Sequence, residues 1–106
     1  SELSTAVHHK INTITIIMNN KSWGAEKAYQ RDFYNERYIG ADIISPPFHK
    51  LAEIYGAKGY HVSQLQDLKQ AVSDALICDK PAIINIDVDP KALYSFRKDS
   101  FKHRSK

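Results

Sequence analysis

Eight residues, Ile-Asn-Thr-Ile-Thr-Ile-Ile-Met at positions 11–18, constrain the fold of this chain more than any other feature. β-Branched side chains are stiff at χ1 and pack well on a pleated surface, so the run is expected to be a strand. Its second half is almost continuously apolar. That pattern belongs to a strand covered on both faces, as in a parallel sheet, and not to one face of an open hairpin. Asn19-Asn20 ends it.

Two more segments read as strands, Gly59-Tyr60-His61-Val62 and Ala82-Ile83-Ile84-Asn85-Ile86-Asp87-Val88. Helical patterns lie between and before them. Residues 2–10 carry a stripe of Leu3, Ala6 and Val7. Residues 25–31 suggest a helical turn. Phe48, Leu51, Ala52 and Tyr55 follow helical spacing, with Gly56 placed to cap the helix end. Ser63 is the expected N-cap of a helix through Cys78, with Leu65, Leu68, Ala71, Val72, Ala75 and Leu76 on one face. Residues 32–47 mix aromatic and charged groups without a period, close with Pro46-Pro47 and are expected to be irregular.

Strands alternating with helices imply parallel pairing through right-handed crossovers. The expected class is therefore α/β, a parallel sheet with flanking helices. Three strands and three full helices are too few to cover both faces of such a sheet. The chain also opens without Met, on a helical pattern with no strand before it. We expect a fold whose N-terminal part, or a covering partner, lies outside these residues.

Composition sets the remaining bounds. The chain has 106 residues, 42% hydrophobic and 25% charged, which suits one globular domain and excludes disorder or coiled coil as the main state. No apolar run approaches the ~20 residues of a membrane span. The single Cys78 cannot form an internal disulfide, which fits a reducing, cytoplasmic setting. The net charge is +3, yet residues 91–106 alone carry six basic groups and one acid, leaving −2 for the first 90. The expected division is a folded domain over 1–90 and a basic C-terminal tail over 91–106. A nucleic-acid reader would carry its basic groups on a face of the fold, so neither nucleic acid nor membrane is the expected partner.

Candidate chemistry collects after the first strand, because open α/β sheets bind ligands beyond the carboxyl ends of their strands. The run there is Asn19-Asn20-Lys21-Ser22-Trp23-Gly24-Ala25-Glu26. The Asn20 amide offers a neutral oxygen suited to a hard cation such as Mg²⁺. Glu26 places a carboxylate six residues later, which could pair with Lys27 or Arg31 on a helix. Elsewhere, His8 and His9 diverge on a helix, and His49, His61 and His103 lack ligand-like spacing. Cys78 reads as a small core residue. No Gly-rich phosphate loop is present.

Taken together, Glu2-Leu3-Ser4-Thr5-Ala6-Val7, Ile11-Asn12 and the β-branched strand into Asn19-Asn20 resemble the closing half of the thiamin-diphosphate motif. That motif opens with Gly-Asp-Gly and closes with Asn-Asn; here only its closing half is present. Phe48 to Ala57, Leu65 to Leu76 and Lys80 to Ile86 resemble later helices and strands of the same family. The resemblance implies a partial pyrophosphate-binding domain of a thiamin-diphosphate enzyme. It implies that Asn20, Ser22, Trp23, Gly24 and Ala25 contact the cofactor and that Asn20 and Ser22 hold Mg²⁺. It also implies a catalytic role for Glu26.

Within the family, Trp23-Gly24-Ala25-Glu26-Lys27, Gln30, Asp32-Phe33-Tyr34-Asn35, Arg37-Tyr38, Gly40 and Phe96-Arg97-Lys98-Asp99 resemble the sulfoacetaldehyde acetyltransferase branch. The implied reaction converts sulfoacetaldehyde and phosphate to acetyl phosphate and sulfite. The implied partners are the pyrimidine-binding domain of a second subunit, in a homodimer or homotetramer, an aldehyde or oxoacid substrate, and phosphate. Lys21, Lys27 and Arg31 lie where they could meet the anions. An acetolactate synthase-like or 2-oxoacid decarboxylase-like enzyme is an alternative. So, from another class, is a non-catalytic α/β interaction domain with a basic tail.

Overall fold

The computed structural model describes residues 2–93. The expected tail lies, from residue 94 on, outside the described residues, as do Phe96-Arg97-Lys98-Asp99 and His103. The elements run α1 (Glu2–His8), β1 (Ile14–Asn19), α2 (Gly24–Phe33), α3 (Phe48–Ile54), β2 (Lys58–Val62), α4 (Leu68–Ile77) and β3 (Ala82–Asp87). They group into two compact units, which among the described residues are 2–19 with 45–88, and 20–44 with 89–93.

The first unit holds a three-stranded sheet in the order β1-β3-β2, parallel throughout, as the alternation of elements predicts. Ile14 pairs with Ala82 and Asn19 with Asp87, while Lys58 to Val62 run beside Ala82 to Ile86. The central strand β3 is the one buried on both faces. Ala82 and Ile84 pack with Val62, Ala71 and Ala75, which places α4 on that side. Ile83 points the other way, into a cluster with Ala52 and Ala57 that Leu3, Val7, Ile17 and Phe48 extend, so α1 and α3 cover that face. Alternation along a strand produces this division, because successive side chains leave opposite faces.

Several expectations need correction. Strand β1 is not covered on both faces in this chain: Ile16 is 48% and Met18 74% exposed. Ser63 does not cap a helix. Its hydroxyl donates to Asp87 Oδ2 at 3.2 Å, a charged acceptor at the end of β3. Gln64 stays extended, a 3-10 turn occupies Leu65–Asp67, and α4 starts only at Leu68. The helical turn expected over 25–31 is a full ten-residue helix, α2.

Two other expectations, those on Gly56 and Cys78, hold. Gly56 takes a left-handed φ of 84° just beyond α3, the geometry that favours glycine at a helix end. Cys78 packs against the α4 core cluster. Among the described residues no group of His, Cys, Asp or Glu has metal-site geometry, and no helix is long and apolar enough to cross a membrane.

Candidate functional site

The second unit begins where β1 ends. Asn20-Lys21-Ser22 make a tight turn in which Lys21 adopts φ 54°, a left-handed conformation that L side chains rarely take. Two bonds across the turn hold it. The Ser22 N–H donates to Asn20 Oδ1 at 3.1 Å, and the Ser22 hydroxyl donates to the Asn20 carbonyl at 2.9 Å. Asn suits this position because its short amide can bond the backbone two residues on.

Ser22 also pairs with Asp42 as an isolated antiparallel bridge. The bonds flank the pair: Trp23 N–H donates to Ala41 O at 2.7 Å, and Ile43 N–H donates to Lys21 O at 3.0 Å. In such a widely spaced pair the two residues' own N–H and C=O groups face outward. The Ser22 N–H therefore reaches Asn20, and its carbonyl oxygen is turned away from residue 42. Ala41, 2% exposed, anchors this second strand of the turn.

Next comes α2. Glu26 in its first turn and Arg31 in its last match the helix dipole. Gly24 opens the helix close against Asn20: a Cβ there would lie 2.9 Å from Asn20 Nδ2, so the amide would have to shift. The absent side chain leaves room for the Asn20 amide. Asn20, Ser22 and Gly24 are thus brought together. Trp23 is 60% exposed, and Ala25 and Glu26 are exposed in the first turn of α2.

Among the described residues, Lys27 pairs with Asp42 at 2.6 Å and Arg31 with Asp32 at 2.8 Å. Neither pairs with Glu26, so the salt-bridge reading of Glu26 is not what the structure displays. The Arg31 guanidinium also donates to Leu93 O at 3.2 Å, and its bond to Asp32 holds it above its ordinary value. Both cations lie beside carboxylates in this structure.

Chemically, the turn presents two neutral hard oxygens, Asn20 Oδ1 with a lone pair beyond its one bond, and the outward Ser22 carbonyl. Hard oxygen donors are what Mg²⁺ takes, usually keeping several waters and a phosphate in its shell. The donor set and the clearance over Gly24 fit a divalent cation bound to a diphosphate. The partners that fix the turn, Ala41 and Asp42, lie inside the aperiodic stretch 32–47. A bridge of one residue pair leaves no periodicity to find.

Comparison with known proteins shows the family of this chain. The family model of the thiamine pyrophosphate enzyme C-terminal TPP binding domain matches residues 1–86. The sulfoacetaldehyde acetyltransferase of Castellaniella defragrans is 34% identical over 94% of this chain, which spans 17% of that relative's length. A probable acetolactate synthase large subunit of Methanococcus aeolicus is 30% identical over 89% of the chain and 16% of its own length. Among solved structures, the Rhodococcus jostii RHA1 thiamine diphosphate-dependent 4-hydroxybenzoylformate decarboxylase aligns with a TM-score of 0.72. It is 31% identical, over 82% of this chain and 16% of that one. The chain thus spans about a sixth of the length of the relatives it matches. By the family match and by its fold, the chain belongs to the thiamine pyrophosphate enzymes, as their C-terminal TPP-binding domain.

Proposed function

We propose that the Asn20-Lys21-Ser22 turn holds Mg²⁺ through Asn20 Oδ1 and the Ser22 carbonyl, and with it the diphosphate of thiamin diphosphate. The observation that carries this reading is the turn itself: two hard oxygens presented by a fixed backbone, with Gly24 keeping the Asn20 amide in place. Trp23, Gly24 and Ala25 line the cofactor. Glu26, exposed in the first turn of α2, is the proton carrier near the reacting carbon. When bound, thiamin diphosphate would supply an electron sink that stabilises a carbanion at the substrate's former carbonyl carbon. The residues of this chain bind, orient and move protons around it.

For the whole protein we propose the sulfoacetaldehyde acetyltransferase reaction, sulfoacetaldehyde and phosphate giving acetyl phosphate and sulfite. The support is the likeness to that enzyme across 94% of the chain. The proposal includes the cytoplasm as its setting. It also includes a homodimer or homotetramer, in which a second subunit's pyrimidine-binding domain completes the site. The interaction-domain alternative rests on the basic tail, which from residue 94 on lies outside the described residues.

The test is sulfite release by the intact protein, given sulfoacetaldehyde, phosphate, Mg²⁺ and thiamin diphosphate. Sulfite with acetyl phosphate supports the acetyltransferase. Pyruvate consumption without sulfite moves the assignment to the acetolactate synthase-like or decarboxylase-like alternative. Asn20→Ala is expected to raise the half-saturating Mg²⁺ concentration by about tenfold to a hundredfold, the range seen when metal-site groups are lost. An unchanged Mg²⁺ requirement overturns the metal assignment.

A further inference from the structure

Residues 34–43 show no helical or strand period, yet they are fastened at several points, all within the second unit. Gln30, near the end of α2, donates Nε2–H to the Ile39 carbonyl at 2.8 Å and accepts the Ile39 N–H on Oε1 at 3.3 Å. A side-chain amide here takes the place of a neighbouring strand. Lys27, one turn earlier on α2, pairs with Asp42 and lies 5.2 Å from the centroid of the Tyr38 ring. Asn35 and Glu36 both take positive φ, 53° and 58°, a path that non-glycine residues follow only when surrounding contacts impose it. Two residues beyond Ile39, Ala41 begins the bridge that flanks Ser22.

We propose that Gln30 is a positioning residue for the Asn20-Lys21-Ser22 turn. Its side-chain hydrogen bonds go to Ile39 and not to the turn. It fixes Ile39, and the short backbone from Ile39 to Ile43 carries that position to the bonds on Trp23 and Lys21, which aim the Ser22 carbonyl. Gln30 is the stronger anchor because its two bonds fix both distance and rotation. The Lys27–Asp42 pair has its carboxylate 72% exposed, and ion pairs of that kind hold little. This proposal rests on the reading of the turn as a Mg²⁺–diphosphate site.

The experiment compares the intact protein with Gln30→Leu and Gln30→Glu. Amide hydrogen exchange is followed at Trp23, Ile39 and Ile43, with the Ile84 amide of the central strand as reference. In Gln30→Leu the Trp23 and Ile43 amides are expected to exchange about tenfold faster, the effect of losing two hydrogen bonds, while Ile84 is unchanged. Gln30→Glu keeps the acceptor, loses the donor and falls between. It also serves if Gln30→Leu accelerates Ile84, the sign of general unfolding.

Calorimetric titration with thiamin diphosphate then reads the half-saturating Mg²⁺, expected to rise about tenfold with the amount bound at saturating Mg²⁺ preserved. A merely structural defect would lower the amount bound. Wild-type exchange at Trp23 and Ile43 in Gln30→Leu overturns the proposal. So does faster exchange with an unmoved Mg²⁺ requirement. If the wild-type protein binds no thiamin diphosphate with Mg²⁺, the metal reading fails and takes the positioning claim with it. Normal wild-type binding beside unmoved variants sinks only the role of Gln30.

Discussion

At Gly59 the backbone is itself a packing surface. A Cβ there would fall 1.8 Å from the carbonyl oxygen of His49, inside any possible contact, so α3 can lie on β2 only where the side chain is missing. Gly59→Ala must push backbone against backbone. We expect a loss of about 1–3 kcal/mol or more, read as a lower urea midpoint with an unchanged slope. Gly24→Ala should behave in the opposite way. Its neighbour is the tip of the Asn20 side chain, which can move, and alanine suits a helix better than glycine. Stability should change by less than about 1 kcal/mol, while the displaced Asn20 amide weakens Mg²⁺ binding about tenfold. Equal effects of the two variants on Mg²⁺ binding would contradict this division. The sequence exposed one of these glycines and hid the other. Gly24 stands four residues from Asn20, in the run that follows β1. Gly59 reads as an ordinary strand residue, because its constraint comes from the main chain of His49 and not from any side chain.

At the scale of elements, α4 separates what a hydrophobic stripe can and cannot say. Its spacing marked Leu65, Leu68, Ala71, Val72, Ala75 and Leu76 as one buried face. In the structure the small residues are the buried ones, Ala71 at 7% and Ala75 at 4% exposed, while Leu65 and Leu76 are 84% and 70% exposed. Leu68 and Val72 lie half-buried at the edge of the contact. The alanines at the centre pack with Val62, Ala82 and Ile84, so the strand side chains and not leucines of the helix fill this cluster. Periodicity located the helix and its inward side, but the width of the contact depends on how near the helix lies, which no spacing encodes. Ala75→Leu is accordingly expected to cost about 1–3 kcal/mol by overpacking. Leu76→Ser, on the same helix, should stay within about 0.5 kcal/mol, as surface substitutions do. Thermal or urea unfolding of both variants decides the point, and a large loss in Leu76→Ser would mean that this face is covered in the folded protein.

For the whole molecule, alternating strand and helix patterns were enough to foresee a parallel sheet, and the β-branched run at 11–18 was enough to find β1. The central position of β3 was not foreseeable, since strand order depends on which crossover lies on which face. Nor was a second unit legible in the long connection between β1 and β2. Its cohesion comes from single contacts, Gln30 on Ile39 and Ser22 opposite Asp42, and these leave no repeating signal. That connection nevertheless carries every residue proposed to hold the cofactor, whereas the sheet supplies none. The division bears on activity. The relatives that share this domain are about six times longer, and this domain carries only the turn proposed to hold the metal and the one carboxylate, Glu26, proposed to carry protons. In the reading proposed above, a second subunit's pyrimidine-binding domain supplies the other wall of the site. The 106 residues expressed alone should therefore fold, give no sulfite above the rate of free thiamin diphosphate, and regain none with added Mg²⁺. Circular dichroism confirms folding in the same sample. A sulfite rate above that of free cofactor, from this segment alone, would show that the residues around Asn20 and Glu26 suffice for the chemistry without a second domain.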